Sequence, residues 1–224
     1  MLDCVEIDPD SKPSAVVIWL HGLGADGHDF EPIVHELNIP ESTPVRYVFP
    51  HAPVRPVTVN GGMRMRAWFD IVDIQIDRKI DFEGFFESVR DLEVLIEREL
   101  DRGITSNRLI LAGFSQGGAV ALHTGLRYPK PLAGIIALST YLPTSVSTAD
   151  EASQENKSTP IFLAHGRMDP VVPVGLGTDI DNRLKDMQYP IEWHQYDMDH
   201  SVCMQEIRDI STWMKKRLNW PSDQ

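Results

Sequence analysis

Apolar runs of strand length recur along the chain, and between several of them the apolar positions shift to helical spacing. Ala15 to Leu20, Val45 to Phe49, Arg108 to Ala112, Leu132 to Leu138 and Ile161 to Ala164 are near-continuous. Such runs suit strands covered on both faces of a parallel sheet. Ile191 to Tyr196 alternates more and reads as a strand nearer an edge. Phe82 to Leu100 sets Phe85, Val89, Leu92, Leu95 and Ile96 at helical spacing, and Arg102-Gly103 closes it. A helical pattern also runs from Gly118 to Tyr128. Val174 to Met187 is a weaker helix, with glycines near its start. Ser201 to Leu218 is a strong one, carrying Val202, Ile207, Ile210, Trp213, Met214 and Leu218 on one side. Alternating strands and helices predict the α/β class, a mostly parallel central sheet flanked by helices on both faces. Two stretches break the rhythm: Val54 to Ile76, with Pro56 and Gly61-Gly62, and Thr140 to Thr159, which reads as a surface loop. Neither is long enough for a second domain, so residues 1–224 read as one.

Composition narrows the function classes. The 224 residues carry a formal net charge of −12 and no large Lys/Arg cluster, which argues against a nucleic-acid partner. Lys215-Lys216-Arg217 ends a helix, where it complements the helix dipole. No apolar run is long enough for a transmembrane segment, and the start lacks a signal-peptide pattern. The two cysteines, Cys4 and Cys203, are far apart and have no metal-ligand spacing. A reduced, cytoplasmic chain is the simple expectation.

The chemistry centres on Gly113-Phe114-Ser115-Gln116-Gly117. This G-x-S-x-G lies between a strand and a helix, the setting in which the motif holds a serine on a sharp elbow. Glycines are needed where a side chain would collide in so tight a reversal. A serine is a poor nucleophile alone and needs a base and an orienting acid. His200 is the best-placed base, following the strand that ends at Tyr196 and preceding a helix. His194 lies within a strand and reads as structural, and His165 has a packing or turn role. Asp169, after the strand Ile161 to Ala164, falls between nucleophile and base in chain order. Its alternative role is a turn aspartate before proline. Asp197 and Asp199 compete less well, because a neighbouring residue rarely aims its carboxylate at an adjacent imidazole. An oxyanion hole takes two backbone N–H groups. Gln116, directly after the serine, is one candidate, and Leu23 in His21-Gly22-Leu23-Gly24 is the other.

On these blocks the chain resembles the carboxylesterase and acyl-protein thioesterase family of the α/β-hydrolase fold. The matching segments are Trp19 to Gly24, Pro50 to Thr58, Arg66 to Ile71, Gly113 to Gly118, His165 to Pro173 and Met198 to Ser201. The resemblance implies Ser115 as nucleophile, Asp169 as acid, His200 as base, and Leu23 and Gln116 as oxyanion donors. It further implies a compact fold without a large cap domain and with no cofactor or metal. Val54 to Ile76 matches the family's acyl-groove segment, so Trp68, Phe69, Ile71 and Ile74 are expected acyl contacts. The chain departs from the family in having Ala25 before Asp26 after the H-G-L-G turn. It also has Asp199 where many members have glycine before the histidine; a carboxylate there favours the imidazolium.

Three readings follow. The first is a serine carboxylesterase acting on short- to medium-chain acyl esters. The second is an acyl-protein thioesterase that takes an acylated protein. The third, from another class, is a non-catalytic binding protein on a hydrolase scaffold, against which the intact serine, aspartate and histidine set argues. An apolar segment such as Val54 to Ile76 gives a possible homodimer contact.

Overall fold

The computed structural model describes residues 1–40, 42–73 and 79–218. Among the described residues nine strands form: β1 (Cys4–Ile7), β2 (Ala15–Leu20), β3 (Val45–Pro50), β4 (Val54–Val57), β5 (Met63–Arg66), β6 (Leu109–Phe114), β7 (Gly134–Leu138), β8 (Ile161–Gly166) and β9 (Ile191–Tyr196). The helices are α1 (Ile33–Glu36), α2 (Phe82–Asp101), α3 (Gln116–Arg127), α4 (Thr148–Glu151), α5 (Val174–Asp186) and α6 (Met204–Arg217). Seven strands make one sheet in the order β1-β3-β2-β6-β7-β8-β9. Every pairing in it is parallel except the antiparallel edge contact of β1 with β3. β9 is the other edge, as its alternation predicts.

Period-two geometry divides the strands between two cores. Val17, Trp19, Ile110, Ala112, Ile136 and Phe162 face α6, meeting Ile207, Ile210, Trp213 and Met214. Val16, Ile18, Leu20, Leu109 and Leu111 face α2 and α3, with Phe85, Leu92, Leu95 and Ile96. Near the β9 edge, Ile135, Ala137, Ile161 and Leu163 pack under Leu122, Leu126, Ile180 and Leu184 of α3 and α5. The sheet is thus covered on both faces, as an α/β-hydrolase requires.

β2 sends the chain outward to β3, and β6 returns on the other side of β2. Neighbouring loops therefore diverge at the carboxyl ends of β2 and β6, the place where open α/β sheets put their ligands.

Two segments differ from expectation. Val54 to Ile76 is not simply irregular: β4 and β5 form an antiparallel hairpin whose tip uses Gly61 and Gly62 at φ 67° and 77°. Thr140 to Thr159 is not merely a surface loop. Tyr141, Leu142, Thr144, Thr148, Asn156 and Thr159 are buried, and the Asn156 amide is bonded to the backbone of Tyr128, Lys130 and Leu132. Polar composition hid this, because those side chains are satisfied inside the fold.

Candidate active site

Ser115, Asp169 and His200 each follow the carboxyl end of a parallel strand: β6, β8 and β9. Ser115 has φ 55° and ψ −119°, a conformation that costs a non-glycine residue about 1–3 kcal/mol. Its surroundings hold it there. The Ser115 N–H donates to Leu138 O at 2.9 Å, and its carbonyl accepts from Thr140 Oγ1 at 2.7 Å. The flanking glycines are sterically required. A Cβ on Gly113 would stand 2.3 Å from Gly117 O, and one on Gly117 would stand 2.5 Å from Leu20 O.

The three side chains meet. His200 Nε2 lies 3.0 Å from Ser115 Oγ, and Nδ1 lies 2.7 Å from Asp169 Oδ2. An Nδ1–H donating to the carboxylate leaves the Nε2 lone pair facing the serine hydroxyl. Asp169 Oδ1 accepts from the N–H groups of Val171 and Val172, each at 2.8 Å. Burial would raise the Asp169 pKa, but bonds from His165, His200 and the Val172 N–H outweigh it and hold the carboxyl well below the usual carboxylate range. The acid is therefore ionised near neutral pH. The bond from His200 goes to Asp169 and not to the adjacent Asp199, whose side chain is exposed.

Backbone contacts lock the acid loop to the histidine loop. Arg167 N–H donates to Tyr196 O at 2.9 Å and Met168 N–H to Met198 O at 3.1 Å. Gly166 runs directly under the histidine loop, where a Cβ would lie 2.2 Å from Asp199 O. Phe114 lies beneath His200, with ring centroids 4.7 Å apart. Cys203 precedes α6 instead of lying on it and packs with the core under that helix.

The His21-Gly22-Leu23-Gly24 turn abuts the serine: a Cβ on Gly22 would lie 3.6 Å from Ser115 Cβ. Among the described residues, the Leu23 and Gln116 N–H groups donate to no other backbone group. The Gln116 side chain is also engaged, accepting from Trp68 N–H at 3.1 Å and donating to Phe69 O at 2.8 Å.

Of the expected acyl contacts, Trp68 and Phe69 are fully buried and Ile71 is 6% exposed. Trp68 Nε1–H donates to His21 O at 2.8 Å, and Phe69 packs edge-on against Phe85. Their apolar character serves the core next to the site. Ile74 lies outside the described residues.

The model of the phospholipase/carboxylesterase family matches residues 3–218. The chain belongs to that family. It is 40% identical to an acyl-protein thioesterase 1 of Neurospora crassa over 93% of this chain and 89% of the relative. It is 37% identical to one of Yarrowia lipolytica over 96% of each. Among solved structures, Arabidopsis thaliana SOBER1 is similar at TM-score 0.86 and 34% identity, covering 91% of this chain and 99% of that one. Zea mays acyl-protein thioesterase 2 gives 0.85 at 27% identity, with 97% and 100% covered.

Several residues at the site escaped sequence reasoning. Thr140 and the Gln116 amide act through contacts 25 to 48 residues away, whereas His165, read as a packing or turn residue, is buried with Nε2 2.7 Å from Val172 O. Gln116 was legible only as a backbone donor. His21 and His123, which read as turn and helix residues, are buried. Burial drives His21 down to about 4 and His123 to about 3, so both are neutral partners in the fold.

Proposed function

We propose that the chain is an acyl-protein thioesterase working through an acyl-serine. The Ser115–His200–Asp169 contact carries the reading. Substrate carbonyl oxygen enters between the Leu23 and Gln116 N–H groups. His200 takes the Ser115 proton as Oγ attacks, then gives it to the leaving thiolate. Water then attacks the acyl carbon as His200 takes its proton, the C–Oγ bond breaks, and His200 returns that proton to Ser115 Oγ, releasing the acid. Asp169 keeps the imidazole oriented and stabilises its protonated form.

Sequence alone favoured a general carboxylesterase. The relatives move the balance to acylated proteins, because the curated proteins at 37% and 40% identity bear the thioesterase name. The chemistry is shared, and preference rests on how the acyl tail and the leaving group are held.

A cavity of about 700 Å³ between the Tyr141–Ala149 segment and α5 supports room for a tail. Its lining includes Tyr141, next in the chain to the Thr140 that bonds Ser115 O, with apolar Leu142, Leu176 and Ile180 and polar Asp179 and Arg183. Among the described residues no helix is long and apolar enough to cross a membrane. We read residues 1–224 as one catalytic domain, because seven strands between Cys4 and Tyr196 share one sheet, and we assign it to the cytoplasm.

The test is turnover across C2 to C16 oxygen esters and thioesters, with Ser115→Ala as control. Long-chain thioesters should give the highest kcat/KM. A preference for short oxygen esters would return the reading to a general carboxylesterase.

A further inference from the structure

The two loops that carry the oxyanion donors are joined through one buried side chain. Trp68 spans them. Its backbone N–H is held by Gln116 Oε1 at 3.1 Å, and its indole N–H holds His21 O at 2.8 Å. Gln116 Nε2 grips the next carbonyl, Phe69 O, at 2.8 Å, so the amide clamps that segment from both sides. The His21 peptide in turn sits against the elbow, where a Cβ on Gly117 would lie 2.6 Å from His21 O. The circuit Gln116, Trp68, His21, Gly117 is closed, and each of these residues is buried.

The His21 side of the circuit is fixed too. The His21 and Trp68 rings lie 5.2 Å apart. His21 Nδ1–H donates to Gly22 O at 2.7 Å, and Nε2 accepts from Ala52 N–H at 3.1 Å. Beyond Leu23, the Gly24 N–H donates to Arg66 O at 2.8 Å, two residues before Trp68. Leu23 is therefore bracketed on one side by the Trp68–His21 bond and on the other by the end of β5.

We propose that Trp68 is a positioning residue, a strut that sets the separation of the Leu23 and Gln116 N–H groups in the transition state. This rests on the acyl-serine reading above. The Trp68 side chain touches no reacting atom; it acts through His21 on one donor and, through its own backbone, on the other. Oxyanion donors are effective only when held near the position that the charged oxygen will occupy. An error of about 1 Å in such a site can cost on the order of 10²-fold in rate. Losing the strut should therefore weaken binding of the tetrahedral state more than binding of substrate.

The experiment compares wild type with Trp68→Phe, Gln116→Met and the double variant. A variant carrying benzothienylalanine at position 68 keeps the ring volume and lacks the N–H, and it preserves the test where Trp68→Phe fails to fold. The readouts are kcat and KM on an acyl thioester, and the affinity of a trifluoromethyl ketone bearing the same tail, which forms a tetrahedral adduct on the serine. Loss of the indole N–H should lower kcat about 10- to 10²-fold, leave KM within about twofold, and weaken the ketone by the same factor as kcat. The double variant should be no worse than the poorer single one, as expected of successive links in one circuit. Ketone affinity unchanged while kcat falls, or losses that multiply in the double variant, would overturn the strut. Wild-type protein that is inactive, or a fully active Ser115→Ala, would instead overturn the acyl-serine reading on which it rests.

Discussion

Replacing Gly166 by alanine strikes the junction between the acid and the base without touching either. The added methyl would sit 2.2 Å from Asp199 O and 2.5 Å from Met198 O, both backbone atoms. Neither is the end of a flexible side chain, so the histidine loop or the end of β8 must retreat. Reaching the 3.0 Å below which such contacts are essentially never seen takes a movement of about 0.8 Å. The Asp169–His200 bond is 2.7 Å, and a shift of that size in its direction would bring it to the limit of a hydrogen bond. The expected loss in kcat is about 10²-fold. Overpacking should also lower stability by about 1–3 kcal/mol. The control is Gly175→Ala in the first turn of α5, where a Cβ meets nothing within 4 Å; it should be neutral or slightly stabilising. Steady-state hydrolysis of a chromogenic acyl ester and a thermal melt are the assays. Wild-type kcat and Tm in the Gly166→Ala variant would refute the claim that these loops are in contact at that point.

Ser115→Ala should lose on the order of 10⁴- to 10⁶-fold in turnover while keeping its Tm, and should not label with a fluorophosphonate probe; labelling of that variant at the wild-type rate would mean another nucleophile. The His21 contribution should lower stability on acidification between pH 6.5 and about 4, because the unfolded chain takes up a proton there that the buried neutral imidazole refuses. His21 alone is worth on the order of 3 kcal/mol across that window, read by urea titrations at pH 7 and pH 4.5. Glu206 acts in the opposite sense: burial pushes it up to about 8, so the native state keeps a proton that the unfolded state gives up, and stability is lost as pH rises from about 4.5 to 8. Glu206→Gln should therefore gain Tm over wild type increasingly from pH 5 to pH 8, and a constant difference would contradict the shift. Leu176→Trp should narrow the cavity and lower kcat/KM for C16 thioesters while sparing C2 esters; equal loss on both would separate that cavity from the acyl tail.

The fold was legible because the five inner strands of the main sheet are buried along almost their whole length, which leaves long apolar runs such as Ala15 to Leu20 in plain view. Edge elements were harder. Cys4–Ile7 is short and half-buried, and the β4–β5 hairpin exposes Met63 and Val54, so neither leaves a clear period. Ser115, Asp169 and His200 stood out because each follows a strand, with glycines framing Ser115 and Pro170 following Asp169. The burial of Trp68 and Phe69 was not legible, for a physical reason. An aromatic pair beside a glycine-rich stretch looks the same in sequence whether its rings line a groove or fill the core beneath one, and only the bonds from Gln116 and to His21 separate the two.

Rapid-quench mass spectrometry during turnover of a palmitoyl thioester tests the central chemistry most directly. One acyl group should appear on the Ser115 peptide within the first turnover, persist longer in His200→Gln if any forms at all, and be absent from Ser115→Ala. Thioester cleavage with no acylated peptide, or with the acyl group carried on Cys203, would contradict the account.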